Sequence, residues 1–161
     1  MSTKTFPSST VQDVPRIGAL LRHAWEGVRE RIYTGVLQDG YDDLTRGHVA
    51  LFRYEGLDGR RPSQLADSMQ ITKQSVNDLL RYLEKRGYLK SDPDPKDRRA
   101  RLVRLTSRGR RFDASVRAHA RAAERELAKA IGQASFCRFY KMLLKINAIV
   151  DDRSRSSTIS A

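Results

Sequence analysis

The sequence predicts a mainly α-helical protein carrying one small β-hairpin. Three observations lead there. Apolar residues recur at three- and four-residue steps through most of the chain, the period of an amphipathic helix. That period changes between Tyr88 and Leu105, where two short extended runs flank Asp92-Pro93-Asp94-Pro95. Directly before the change stand two compact helical runs joined by a tight turn at Met69-Gln70-Ile71.

Residues 1–13 are rich in Ser and Thr and lack periodicity, which predicts a disordered N-terminal arm. Ile17, Leu20, Leu21, Ala24, Val28 and Ile32 then repeat at helical spacing, and this first helix should end near Gly40. Thr45 is placed to cap a short second helix whose apolar contacts are Val49, Leu51, Phe52 and Tyr54. Gly56 and Gly59 mark a loop. Ser63–Ser68 forms a compact third helix with Leu65 and Ala66 inward, and Thr72 is a suitable N-cap for the fourth. There Val76, Leu79, Leu80 and Leu83 make a buried stripe, and Gly87 ends it as a C′ residue.

Tyr88–Lys90 reads as a short strand, Asp92–Pro95 as a turn because neither proline can donate to a ladder, and Ala100–Leu105 as the return strand. Thr106 or Ser107 caps a long helix with Phe112, Val116, Ala120, Ala123, Leu127 and Ile131 on one stripe. Gly132 interrupts it. A last helix from about Ser135 carries Phe136, Phe139, Leu143, Ile146 and Val150, and a Ser/Arg-rich tail follows, disordered from 152 to 161. Two compact helices, a tight turn and a hairpin make a winged helix–turn–helix head, flanked by long helices at both ends.

Charge points to what the head meets. The chain carries a net +12, which nucleic acid rewards through phosphate contacts and counterion release. Residues 81–111 hold twelve basic and four acidic residues, so eight of the twelve net charges fall in about a fifth of the chain. Opposite the buried stripe of the fourth helix, a 100° step places Gln74, Asn77, Asp78, Arg81 and Lys85 on one face. Gln and Asn pair bidentately with adenine and Arg with guanine. Lys73 and Gln74 lie in the first turn, and Thr72 or Ser75 can reach a phosphate at the helix N-terminus. After the proline turn come Arg98, Arg99 and Arg101, suited to a narrow minor groove.

The blocks Arg61-Pro62-Ser63-Gln64-Leu65-Ala66-Asp67, Ile71-Thr72-Lys73-Gln74-Ser75-Val76 and Leu83-Glu84-Lys85-Arg86-Gly87-Tyr88-Leu89 resemble the MarR family of bacterial regulators. So does Asp92-Pro93-Asp94-Pro95-Lys96-Asp97-Arg98-Arg99, followed by Val103-Arg104-Leu105-Thr106-Ser107-Arg108-Gly109-Arg110. The resemblance implies a homodimer with interlocked terminal helices and two winged heads on successive major grooves of a double-stranded DNA operator. It implies a recognition helix from Thr72 to Arg86, Arg99 as the minor-groove arginine and Asp97 bracing the wing by an ion pair. The chain then divides into a dimerisation helix (14–44), a DNA-binding head (45–106) and C-terminal dimerisation helices (107–151). The apolar stripes at the two ends fit a dimer independently, although packing on their own head would also bury them.

Relatives of this kind respond to small phenolic or anionic effectors held between the dimer helices and the head. Candidate pocket residues are His23, Trp25, Tyr33, His48 and Arg110, with ordinary packing or solvent exposure the competing role for each. Cys137 has Arg138 and Lys141 nearby, but redox-sensing relatives carry their cysteine near the N-terminus, where this chain has none.

Other classes fit less well. No nucleophile elbow, P-loop or dinucleotide fingerprint is present, so no enzyme is expected and no cofactor. His23, His48, His119 and one cysteine make no zinc spacing; Asp92, Asp94 and Asp97 suggest a calcium loop, but its glycine and last-ligand positions hold Asp97 and Val103, so these acids are expected to shape and brace the wing. No apolar run reaches membrane length, and no basic amphipathic helix with an aromatic face suggests a membrane surface; the expectation is a cytoplasmic protein. The rivals are a nonspecific architectural DNA-binding protein and a small-molecule sensor acting through protein partners.

Overall fold

The computed structural model describes residues 16–53 and 56–158. The expected arm at 1–13, Tyr54 of the second helix and the end of the tail at 159–161 lie outside the described residues. The elements run α1 (Ile17–Gln38), α2 (Arg46–Phe52), α3 (Pro62–Met69), α4 (Lys73–Lys85), β1 (Leu89–Asp94), β2 (Asp97–Leu105), α5 (Ser107–Ile131) and α6 (Gln133–Thr158). The fold is mostly helical with a two-stranded antiparallel sheet, a winged helix–turn–helix flanked by long helices.

The helix ends follow local chemistry. α3 begins with Pro62, whose missing N–H costs nothing in a first turn, and Arg61 N donates to Gln64 Oε1 at 2.9 Å. It ends at Gln70, the only non-glycine residue at positive φ (53°) among those described, so the turn into α4 is left-handed. Ser75 N donates to Thr72 Oγ1 at 3.1 Å, capping α4. Beyond Arg86, Gly87 at φ 73° reverses the chain, and Tyr88 N donates to Leu83 O. Thr106 Oγ1 accepts from Gly109 N to cap α5.

The hairpin is longer than its sequence suggests. β1 runs through Pro93 to Asp94, so the turn shrinks from Asp92–Pro95 to Pro95-Lys96. Every strand of a two-stranded ribbon is an edge, and alternate N–H groups point away from the partner; Pro93, opposite Arg101, therefore fits without breaking the sheet. The register pairs Leu89 with Leu105 and Ser91 with Val103, and is disturbed between Pro93 and Asp94. On its other edge, Gly59 N donates to Val103 O and Val103 N to Arg60 O, tying the loop before α3 to the wing.

The core crosses the divisions expected at 44 and 106. Ile32 and Val36 of α1, and Phe112 and Val116 of α5, are buried in the same cluster as Leu65, Val76, Leu80, Leu83 and Val103. Phe112 is its aromatic centre, with Tyr41, Phe52 and Tyr88 rings 4.8, 4.7 and 5.5 Å away. Leu79 stays half-buried, while Ile17, Leu20 and Leu21 of the α1 stripe stand exposed. α6 exposes Phe139, Tyr140, Met142, Leu144, Ile149 and Val150 and continues to Thr158, whereas the sequence suggests a disordered tail from 152.

Candidate nucleic-acid interface

α4 owes its orientation to its buried row. Val76, Leu80 and Leu83 face the core, which leaves Lys73, Gln74, Ser75, Asn77, Asp78, Arg81 and Lys85 exposed. The side chains of Lys73, Gln74, Asn77 and Lys85 have no hydrogen-bond or ion-pair partner among the described residues. Thr72 and Ser75 are partly occupied, with hydroxyls 2.8 Å apart within the cap. Arg81 donates to Asp78 at 3.0 Å, an exposed pair that another partner can readily replace.

The wing follows at once. Arg98, Arg99 and Arg101 are exposed on β2. The tip is fixed by a residue outside the hairpin: Arg61, N-cap of α3, donates from Nε and Nη2 to Asp94 Oδ2 at 2.8 and 2.7 Å, while its Nη1 lies 3.5 Å from Asp97 Oδ2. Each carboxylate uses its other oxygen on the backbone, Asp94 accepting from Lys96 N and Asp97 from Arg99 N. Asp97 thus does carry an ion pair, but the tighter brace is Asp94, only 6% exposed. The Lys96 N–H and the Arg61 guanidinium hold the Asp94 carboxyl below the usual carboxylate range against the opposing effect of burial. Sequence reasoning placed Asp94 in the turn among the acids that brace the wing but gave Arg61 no role; the pairing spans 33 residues and has no local signature.

Behind these faces lies an aromatic and polar layer. His48 is buried, its ring stacked on Tyr82 of α4 at 4.3 Å. Thr45 N donates to His48 Nδ1 at 3.1 Å, which completes a capping box on α2 and requires that nitrogen to be unprotonated. Burial pushes the His48 pKa down, against the pull of the Asp43 charge.

The five candidate pocket residues do not converge. His23 is exposed on α1; Tyr33 donates to Leu44 O and lies under the Arg46 guanidinium; His48 caps α2; Arg110 donates to Leu105 O. Trp25 lines a cavity of about 240 Å³ between α1, α2 and α5. Its other walls include Phe52, Val116, Ala120 and Glu124, with Arg53 and Arg117 as cations, and Arg53 lies 4.5 Å above the Trp25 ring. Neither arginine stands out in the sequence, where both are lost among many. Cys137 is exposed on α6, with Gln133 Nε2 3.6 Å from its sulfur.

Among the described residues, no cluster of His, Cys, Asp and Glu is placed to hold a metal ion, and no helix is long and apolar enough to cross a membrane. What the arrangement offers is hydrogen-bonding capacity on a helix face and positive charge on a braced hairpin.

Comparison with known proteins agrees with this architecture. Residues 43–100 match the model of the MarR family. Over 51 residues the chain is 37% identical to the HTH-type transcriptional regulator PrsX and 35% identical to PapX, both of Escherichia coli. The matched stretch is 32% of this chain and spans only 31% of those relatives' length. A crystal structure of MarR superposes with a TM-score of 0.74 at 25% identity, covering 91% of this chain and 97% of that one. A Mycobacterium tuberculosis MarR family protein in complex with salicylic acid gives 0.63 at 26% identity, covering 83% and 98%.

Proposed function

We propose that this chain is a member of the MarR family and a sequence-specific DNA-binding transcriptional regulator, chiefly a repressor, acting as a homodimer on a pseudo-palindromic operator. One observation carries the reading: the core-facing row of α4 leaves an outer face of uncommitted polar side chains, and the chain passes from it directly into a braced hairpin bearing Arg98, Arg99 and Arg101. α4 is the element for the major groove, where Gln74 and Asn77 suit adenine and Arg81 suits guanine. Thr72 and Ser75 sit where a phosphate meets the helix dipole, and Lys73 and Lys85 add charge. The wing arginines take the adjacent minor groove, with Asp97 and Asp94 holding the tip at a fixed height.

The dimer reading rests on apolar surface. Ile17, Leu20, Leu21 and Trp25 on α1 and the α6 row are large apolar side chains left exposed together, and they lie on the elements farthest along the chain from the head. The cavity at Trp25 suits an aromatic carboxylate, with the ring against indole and the anion toward Arg53 or Arg117; the relative that holds salicylic acid supports that ligand class.

Selection on random double-stranded DNA tests the function directly. A preferred inverted repeat with half-sites about one helical turn apart is the expected result, with binding that weakens steeply as salt rises. No enriched site would identify a nonspecific architectural protein instead. Arg99→Ala should weaken binding to the enriched site by about tenfold or more while leaving the dimer intact; undiminished binding would remove the wing from the interface.

A further inference from the structure

Where the head meets α1 and α5, three side chains from elsewhere in the chain, Tyr82, Tyr88 and Arg108, end on one residue. Asp43 lies in the loop between α1 and α2. Tyr88 Oη donates to its Oδ1 at 2.8 Å, and Arg108 Nη2 reaches its Oδ2 at 3.2 Å and Tyr88 Oη at 2.9 Å. Tyr82 of α4 donates to the Asp43 carbonyl at 2.6 Å. Arg108, in the first turn of α5, also donates to the carbonyl of Arg86, the C-cap of α4, and covers the Tyr88 ring at 4.2 Å. Tyr88 is fully buried, and burial together with the Asp43 charge pushes its hydroxyl up to about 12, so it is a permanent donor. None of these groups lines the Trp25 cavity or belongs to the outer face of α4 or the wing tip.

We propose that Asp43 is a positioning residue: through Tyr88, Tyr82 and Arg108 it fixes the tilt of α4 on the α1–α5 frame, and that tilt sets discrimination between the operator and other DNA. The inference rests on the DNA-reading role proposed above. Its physical basis is leverage. The anchored end of α4 is at Tyr82–Arg86, whereas Lys73, Gln74 and Asn77 lie up to about 15 Å away at 1.5 Å per residue, so a tilt of roughly 5° moves them by about 1 Å. Hydrogen bonds to base edges do not survive such a shift, but phosphate contacts from long Lys and Arg side chains do. Only a carboxylate serves both side-chain donors aimed at it, one oxygen taking the Tyr88 hydroxyl and the other the Arg108 guanidinium, while Tyr82 takes the main-chain carbonyl.

The test uses the full chain as wild type, Asp43→Asn and Tyr88→Phe, each close to isosteric. After selection on random DNA, affinity is measured for the enriched site and for an unrelated duplex across a salt series. The ratio of the two is the readout, because a partly unfolded sample loses both affinities in proportion. Both variants should lower that ratio by about tenfold, as a mismatched base pair does, with affinity for unrelated DNA and its salt slope unchanged. A ratio within twofold of wild type in both variants overturns the positioning role while the DNA-reading function stands. A wild type that enriches no site overturns both.

Discussion

Gly109 stands where no side chain fits. A Cβ there would lie 2.0 Å from the carbonyl oxygen of Tyr88 and 3.3 Å from Leu105 Cδ2. That carbonyl also accepts from Thr106 N and the Thr106 hydroxyl, so it cannot withdraw without breaking the joint between the hairpin and α5. Gly109→Ala should therefore destabilise the protein by about 3 kcal/mol, the upper range for overpacking a rigid site, as read from urea denaturation; a loss below about 0.5 kcal/mol would mean that α5 slides freely. Gly35 presents a softer case. Its absent Cβ would meet the ring of His119, which is a side chain able to turn, although turning it would break the 2.9 Å contact with Asp39. At this scale the sequence revealed the glycines and the caps but not their partners. Thr106 is legible as a cap because capping is local, whereas the Arg61–Asp94 brace depends on a contact between distant segments.

At the scale of the element, α2 shows how a short helix acquires a pH limit. Its cap depends on an unprotonated His48 Nδ1, and burial already holds that group below its ordinary value. The folded state thus binds fewer protons at this site than the unfolded chain. The resulting stability is fully present above the unfolded pKa near 6.5 and is lost as pH falls through the lowered folded value. A melting temperature that drops on acidification below about pH 6.5 is expected, with the slope reduced in His48→Gln, which keeps a capping-box side chain but cannot titrate. An identical slope in that variant would assign the acid sensitivity elsewhere. Asp94 acts in the same direction at lower pH, since its depressed pKa gives stability that disappears only when the carboxylate is protonated. The hairpin was legible in outline. Pro93 led the sequence reading to stop the strand too soon, because a proline excludes only a donating position and a two-stranded ribbon has outward positions to offer.

For the whole molecule, the exposed apolar faces of α1 and α6 are the feature with the largest consequence. Ile17 is 69% and Ile149 57% exposed, and each such side chain is worth about 1.5–3 kcal/mol when buried. Sedimentation equilibrium should show a dimer, and replacing Leu144 and Ile149 with aspartate should yield a folded monomer; a double variant that remains dimeric would place the interface elsewhere. Trp25 offers an independent probe, as it is the single tryptophan of the chain and lines the cavity between α1, α2 and α5. Salicylate should change its emission with saturation, and Arg117→Gln should shift the titration to higher concentration. Unsaturable emission across the series would remove aromatic carboxylates as the ligand class.

The sequence by itself determined the fold class, the order of elements, the exposed face of α4 and the concentration of positive charge around it. These follow from periodicity, capping and composition, which are properties of neighbouring residues. The tertiary structure decided the rest: that the head shares its core with both long helices, that Arg61 braces the wing through Asp94, that Trp25 meets Arg53 and Arg117 at a cavity, and that Asp43 gathers α4, Tyr88 and α5. Each is a contact between segments far apart in the chain, and local pattern sets which face of a helix is turned inward without setting what it meets there.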